Sequence, residues 1–294
     1  MFEFFASLFG YILAFLYDLI NNYGLAIILF TIIIKIVLLP LSIKQQRTLK
    51  KSTQLQEKMK VIQFKYKNNP EKMNQEMMEL YKSENMSPFS GCLTAIVQLL
   101  LLLSVFYLVR APLTYMEKIP TEDINKYITQ LQEEGKINSN VYPEIDIIRE
   151  QQWLKEKNPE DPNIDRVALQ MNFLGLDLSK VPQQNMTDFT VYIIPILYIL
   201  SSFISIRMTT AMQQKQKGES KQNATIDGST GKELTVKDEN EIDTVMQTNK
   251  MMSWMMPIMS ISIAFVAPLG LALYWLVNNI LMIIERLILN KVIK

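Results

Sequence analysis

Between Gly24 and Leu41 the chain reads GLAIILFTIIIKIVLLPL, eighteen residues almost all apolar, with a lysine at position 35. At about 1.5 Å of rise per residue, a helix of that length just crosses the hydrocarbon core of a bilayer. Lys35 then lies at membrane depth. An ammonium there costs roughly 2.5–3.5 kcal/mol on insertion scales, so it faces water, a protein partner or a polar cavity. Snorkelling to a headgroup is the plainer alternative, since Leu41 is six residues away, roughly 9 Å along a helix. On one helical face Lys35 is joined by Thr31, Leu38 and Ser42, and two of these three carry hydroxyls. That pattern favours a wet cavity.

The 294 residues are 49% hydrophobic, and the apolar ones gather into runs of this kind. The fold class is therefore an all-α polytopic membrane protein. Histidine is absent, which excludes Ser-His and Cys-His catalysis, histidine metal sites and histidine pH switches. The single cysteine, Cys92, forms no internal disulfide, and no Cys/His metal spacing exists. With no aspartate in the apolar runs of the five spans, the third taken from Phe189 to Ile206, paired-aspartate chemistry cannot be assembled there and an intramembrane aspartyl protease is excluded as well. No catalytic residue, metal or cofactor is expected.

Residues 1–23 carry Glu3, Ser7, Gly10, Ala14 and Asp18 as a narrow polar or small stripe on a greasy helix. They read as an amphipathic helix lying in the interface, a membrane span being the alternative; no basic n-region or cleavage site marks a secretory signal. Residues 24–41 form the first span. From Ser42 to Met86 ten Lys/Arg (44, 47, 50, 51, 58, 60, 65, 67, 72, 82) outnumber five Glu (57, 71, 76, 79, 84), so segment 42–88 is placed in the cytoplasm. Leu55, Met59, Ile62 and Tyr66, then Met73, Met77 and Leu80, recur at spacings of three and four around Asn68-Asn69-Pro70. They predict an antiparallel helical hairpin.

The second span, residues 89–110, leads outside. Segment 111–187 has thirteen acidic residues against eight basic ones (118, 126, 136, 149, 155, 157, 166, 180) and reads as a small, partly ordered extracytoplasmic cap with a helix near 121–135 and a turn at 158–162. The third span is 188–207. Residues 208–250 read as a flexible cytoplasmic loop. The fourth and fifth spans, 251–267 and 269–289, flank Pro268, and 290–294 form a cytoplasmic tail.

Polar residues recur at helical spacing on four spans: Thr31 and Lys35; Thr94 and Gln98; Tyr198, Ser202 and Ser205; Tyr274, Asn278 and Glu285. One such stripe is ordinary interhelical glue. Four stripes and a lysine are better explained as converging on a partly hydrated groove. Glu285 lies near the inner end of its span. Pairing would partly neutralise Lys35, so the expected arrangement leaves the two apart. Met251, Met252, Met255, Met256 and Met259 crowd the fourth span, as core filler or as an adaptable surface for varied apolar segments.

TIIIKIVLLPL, the basic hairpin, SPFSGCLTAIVQ, FLGLDLSKVP and MMPIMSISIAFVAPLGLALYWLVNN, in this order, resemble the YidC-type membrane protein insertases of the YidC/Oxa/Alb superfamily. The resemblance implies five transmembrane helices preceded by an interfacial helix, and a hydrophilic groove open to the cytoplasm and lipid with one positive charge. It implies a non-enzymatic insertase and chaperone in the bacterial plasma membrane. Its partners would be nascent membrane proteins, the ribosome or a targeting receptor at 42–88, the Sec translocon and the lipid bilayer. The matching groove positions are Lys35, Thr31, Gln98, Ser202, Ser205, Trp275 and Asn278. Lys35 stands where the family holds arginine, Thr94 and Leu100 where prolines are common, and Glu285 where a neutral amide is usual. A lysine keeps the charge and loses the planar fork of a guanidinium. A small transporter or channel using Lys35 and Glu285 is the rival reading; it calls for internal repeats or facing broken helices, and neither is evident.

Overall fold

Long apolar runs without internal breakers fold as helices because every backbone hydrogen bond is then met within the segment, the only economical solution in lipid besides a closed barrel. The computed structural model follows that rule. It describes residues 2–84, 90–137, 141–224 and 263–292. Helix α1 spans Phe2–Ile20, α2 Tyr23–Lys65, α3 Pro70–Ser83 and α4 Ser90–Arg110. Four short helices follow, α5 Pro112–Tyr115, α6 Thr121–Glu133, α7 Pro143–Arg149 and α8 Gln151–Lys157, then a two-stranded hairpin, β1 Asn172–Phe173 and β2 Leu176–Asp177. Helix α9 covers Ile193–Ala224 and α10 Leu269–Val292. Most of the fourth span and of the loop before it, including the methionine cluster, lies outside the described residues.

By length and composition, four described helices are able to cross a membrane: Phe2–Ile20, Tyr23–Thr48, Phe189–Met212 and Leu269–Val292; Leu99–Arg110 is a shorter apolar helix. The first span has no structural end at Leu41. Helix α2 runs on through Pro40 into the basic segment, because the Lys-, Gln- and Arg-rich sequence beyond the proline is a good helix former and one missing N–H does not stop it.

The chain divides into two compact units, one of residues 1–37, 98–201 and 260–287, the other of 38–97, 202–259 and 288–294. In the second unit, α3 starts on Asn69, whose side chain accepts from the Lys72 amide, with Pro70 in the first turn. It meets the later part of α2 at three places: Lys58 pairs with Glu84 at 2.7 Å, the Tyr81 hydroxyl reaches Met59 Sδ at 3.5 Å, and the Tyr66 hydroxyl donates to Glu76 at 3.0 Å.

In the first unit the described residues of the cap, segment 111–187, have a buried core of their own, more than the partly ordered cap expected. Ile124, Tyr127, Leu131, Ile145, Ile147, Ile148, Leu154, Ile164 and Val167 are buried together, and α6 supplies the helix expected near 121–135. Glu144 is buried among them, its carboxylate accepting from the Thr114 amide at 3.0 Å and the Thr114 hydroxyl at 2.6 Å. Burial pushes this carboxyl above its ordinary value, and the Thr114 bonds pull it part of the way back. A raised folded value means that the native state binds the proton more tightly than the unfolded chain, so stability rises as pH falls through that value. Thermal stability in detergent should therefore increase on mild acidification from pH 8, and Glu144→Gln, which keeps the acceptor and removes the titration, should flatten the profile. Superimposable profiles would remove Glu144 from the account.

A clasp joins the cap to the ends of two long helices. Leu174 and Gly175 both have positive φ, 51° and 80°, the two-residue turn that matches strand twist. On one side of it, Tyr23 N donates to Gln170 O at 3.1 Å and Asn22 Nδ2 to Asn172 O at 2.8 Å, while a methyl on Gly24 would lie 2.5 Å from Phe173 Cγ. On the other, Gly270 N donates to Leu178 O and Leu269 N to Lys180 O, both at 2.9 Å. The start of α10 thus meets backbone groups of the FLGLDLSKVP motif, while the start of α2 meets Phe173 of the motif and the carbonyls of Gln170 and Asn172 just before it. Helix α1 buries Ala6, Phe9, Gly10, Leu13 and Tyr17, with Gly10 against the Tyr115 carbonyl and Phe9 against Phe30 of α2; Lys118 Nζ bonds Ser7 Oγ at 2.8 Å and the Gln170 amide donates to the Tyr17 hydroxyl at 2.7 Å. Its opposite face, Phe4, Leu8, Tyr11, Phe15 and Leu19, is exposed and apolar. This differs from the polar-out helix the stripe suggested: the small and polar positions Ser7 and Gly10 meet the cap.

Candidate functional site: a lysine–glutamate pair between two apolar helices

Helices α2 and α10 bring Lys35 Nζ to 3.6 Å from Glu285 Oε2, with the two side chains 24% and 15% exposed. The two residues expected to stay apart are therefore partners. The physical reason is the cost of either charge alone at that depth: two opposite charges on neighbouring apolar helices are cheaper together than separately. Lys35 is twelve residues from Tyr23, about 18 Å of helix, and Glu285 sixteen from Leu269, about 24 Å. Both distances run from helix ends clasped by the cap, so the pair lies in the second half of the apolar runs Gly24–Leu41 and Leu269–Leu289.

Other polar contacts occupy other levels. Asn279 Nδ2 donates to Ser201 Oγ at 3.0 Å, tying α10 to α9, and Ser201 Oγ donates to Tyr198 O at 2.8 Å. This bond is about 9 Å of helix from Glu285. Trp275 is buried against Tyr198, ring centroids 6.1 Å apart, about 15 Å from Glu285 along α10. The polar residues form a ladder along the helices and not one cluster.

Among the expected groove positions, Thr31 is buried and its hydroxyl donates back to Ile27 O at 2.6 Å, so its own helix satisfies it. Asn278 is half-buried, whereas its neighbour Asn279 makes the bond to α9. Ser202 and Ser205 are buried on α9 in the second unit. The Gln98 side chain, like those of Cys92 and Thr94, lies outside the described residues. Sequence reasoning missed Ser201 and Asn279. The signal was present as the adjacent pairs Ser201-Ser202 and Asn278-Asn279, and adjacency is what hid it, since neighbours on a helix point about 100° apart.

Residues 15–294 match the family model described as 60Kd inner membrane protein. The chain belongs to that family. It is similar to proteins named membrane protein insertase YidC: that of Treponema denticola is 27% identical over 284 residues, covering 97% of this chain and 37% of the relative. That of Chlorobaculum tepidum is 26% identical over 274 residues, 93% of this chain and 34% of the relative. That of Clostridium perfringens reaches 45% identity over 86 residues, 29% of this chain and 36% of the relative. The chain thus spans between a third and two fifths of the length of the first two relatives. The family supplies multi-pass membrane character, in keeping with the apolar helices.

Proposed function

We propose that the chain is a non-enzymatic membrane protein insertase, which accepts apolar segments of nascent membrane proteins from the cytoplasm and releases them sideways into lipid. The observation that supports this reading is Lys35, a cation set in an apolar helix and paired with Glu285 at 3.6 Å, in a chain of a family whose relatives are named insertases. Thr31, Gln98, Ser202, Ser205, Trp275 and Asn278 would line a hydrophilic groove beside it, with Ser201 and Asn279 added. The basic segment 42–88 would face the cytoplasm and meet the ribosome or a targeting receptor, the Sec translocon being a further partner. The cap would lie outside. In that topology the Lys35–Glu285 pair sits in the cytoplasmic half of the bilayer. Helix α1, bonded to the cap from Ser7 to Tyr17, about 15 Å of its length, would lie along the outer interface with its exposed apolar face in lipid.

The mechanism needs no fuel. A hydrophilic outer tail of the substrate enters the wet groove, which thins the apolar barrier it has to cross, and Lys35 attracts it if it is acidic. Burial of the substrate's apolar span in lipid then drives the step, at roughly 25 cal/mol per Å². Reconstitution in lipid vesicles with a single-span substrate tests this. The protein alone should insert the substrate, and Lys35→Ala should impair acidic-tailed substrates most. Ion flux without insertion would favour a transporter or channel.

A further inference from the structure

We propose that Glu285 is a specificity-determining residue: a resident carboxylate that occupies Lys35 between substrates and that an incoming acidic tail has to displace. The inference rests on the insertase reading and extends it. Three observations carry it. The Lys35–Glu285 separation of 3.6 Å exceeds the about 2.7–2.9 Å of a close charge-assisted hydrogen bond, whereas the surface pairs Lys58–Glu84 and Lys155–Asp165 close to 2.7 Å. Both side chains keep some exposure, 24% and 15%, so a third group is able to approach. Neither the Lys35 ammonium nor the Glu285 carboxylate has another ion-pair partner among the described residues. Arg286 follows directly on α10 and adds a second, half-buried cation to the same level.

A carboxylate tethered on the adjacent helix acts at a high effective concentration. Glu285 therefore competes with every acidic tail, and weakly acidic tails lose. Once displaced, Glu285 offers its own negative charge to the groove, where a basic tail would find a partner. The pair offsets the charge of Lys35 at rest and lets the site accept tails of either sign.

The test uses the full-length protein in vesicles of neutral lipid and three single-span substrates identical except for a pair of Asp, Asn or Lys residues in the outer tail. Glu285→Gln should raise insertion of the Asp substrate relative to the Asn one by about fivefold, the lower end of usual couplings between sites, and lower that of the Lys substrate. An equal fall for all three, or unchanged ratios, would overturn the proposal while leaving the insertase reading intact. Failure of the wild-type protein to insert any of them would overturn both. Should Glu285→Gln not be recovered folded, Glu285→Asp decides: drawing the carboxylate back by one methylene should shift the ratios in the same direction, and unchanged ratios overturn the proposal.

Discussion

Purified Lys35→Ala is expected to melt well below wild type, and the double variant Lys35→Ala/Glu285→Ala to regain most of that loss. The single substitution leaves Glu285 without its partner 3.6 Å away. Stranding one member of a buried ion pair costs about 3–5 kcal/mol, while replacing both with apolar groups is often neutral or stabilising. Here the remaining exposure of both side chains lowers the figure, to about 2–3 kcal/mol by the depth scale for charges in membranes. The measurement is a double-mutant cycle on thermal unfolding in detergent. Additive losses would show that the two charges do not interact, and the site would then consist of a solvated lysine and an unrelated glutamate.

Gly10→Leu is expected to be as damaging, by a different route. A Cβ at Gly10 would run into the carbonyl oxygen of Tyr115, a backbone atom fixed by the bonds that close α5. Nothing flexible is available to yield, so α1 has to lift from the cap. That movement strips Ser7 from Lys118 and Tyr17 from Gln170 and exposes Phe9 and Leu13. Overpacking alone costs about 1–3 kcal/mol, and losing the docked face adds to it. Protease cleavage between residues 1 and 23 should accelerate in Gly10→Leu and stay unchanged in Ala14→Leu, whose position is less enclosed. Equal resistance in both would place the packing of α1 elsewhere.

The spans were legible because lipid imposes one rule, a run of apolar residues long enough to cross, and α2, α9 and α10 obey it. Met59 and Tyr66, which recur at helical spacing, both meet α3, at Tyr81 and Glu76. The cap was not, since its core is assembled from short helices whose apolar residues alternate with acids: in PEIDIIRE two carboxylates, Glu144 and Asp146, are buried, and charge in a sequence reads as surface. The Lys35–Glu285 pair was hidden for another reason. Composition reveals which charges are costly, but not the rotation of one helix against another 250 residues later, and that rotation decides whether two costly charges meet. The extra reach of FLGLDLSKVP was also invisible, since its value lies in backbone groups that any sequence possesses.

The clasp has a temporal side. Backbone atoms of residues 170–180 are shared between the start of α2 and the start of α10, elements separated by most of the chain. During synthesis the first half of the clasp needs only residues up to 173, but the carbonyls of Leu178 and Lys180 wait for Leu269 and Gly270. Contacts of such long sequence separation form late. Until α10 arrives, Lys35 also lacks Glu285. Under the proposed function, the chain is itself, while being made, a client whose Lys35 has yet to meet Glu285.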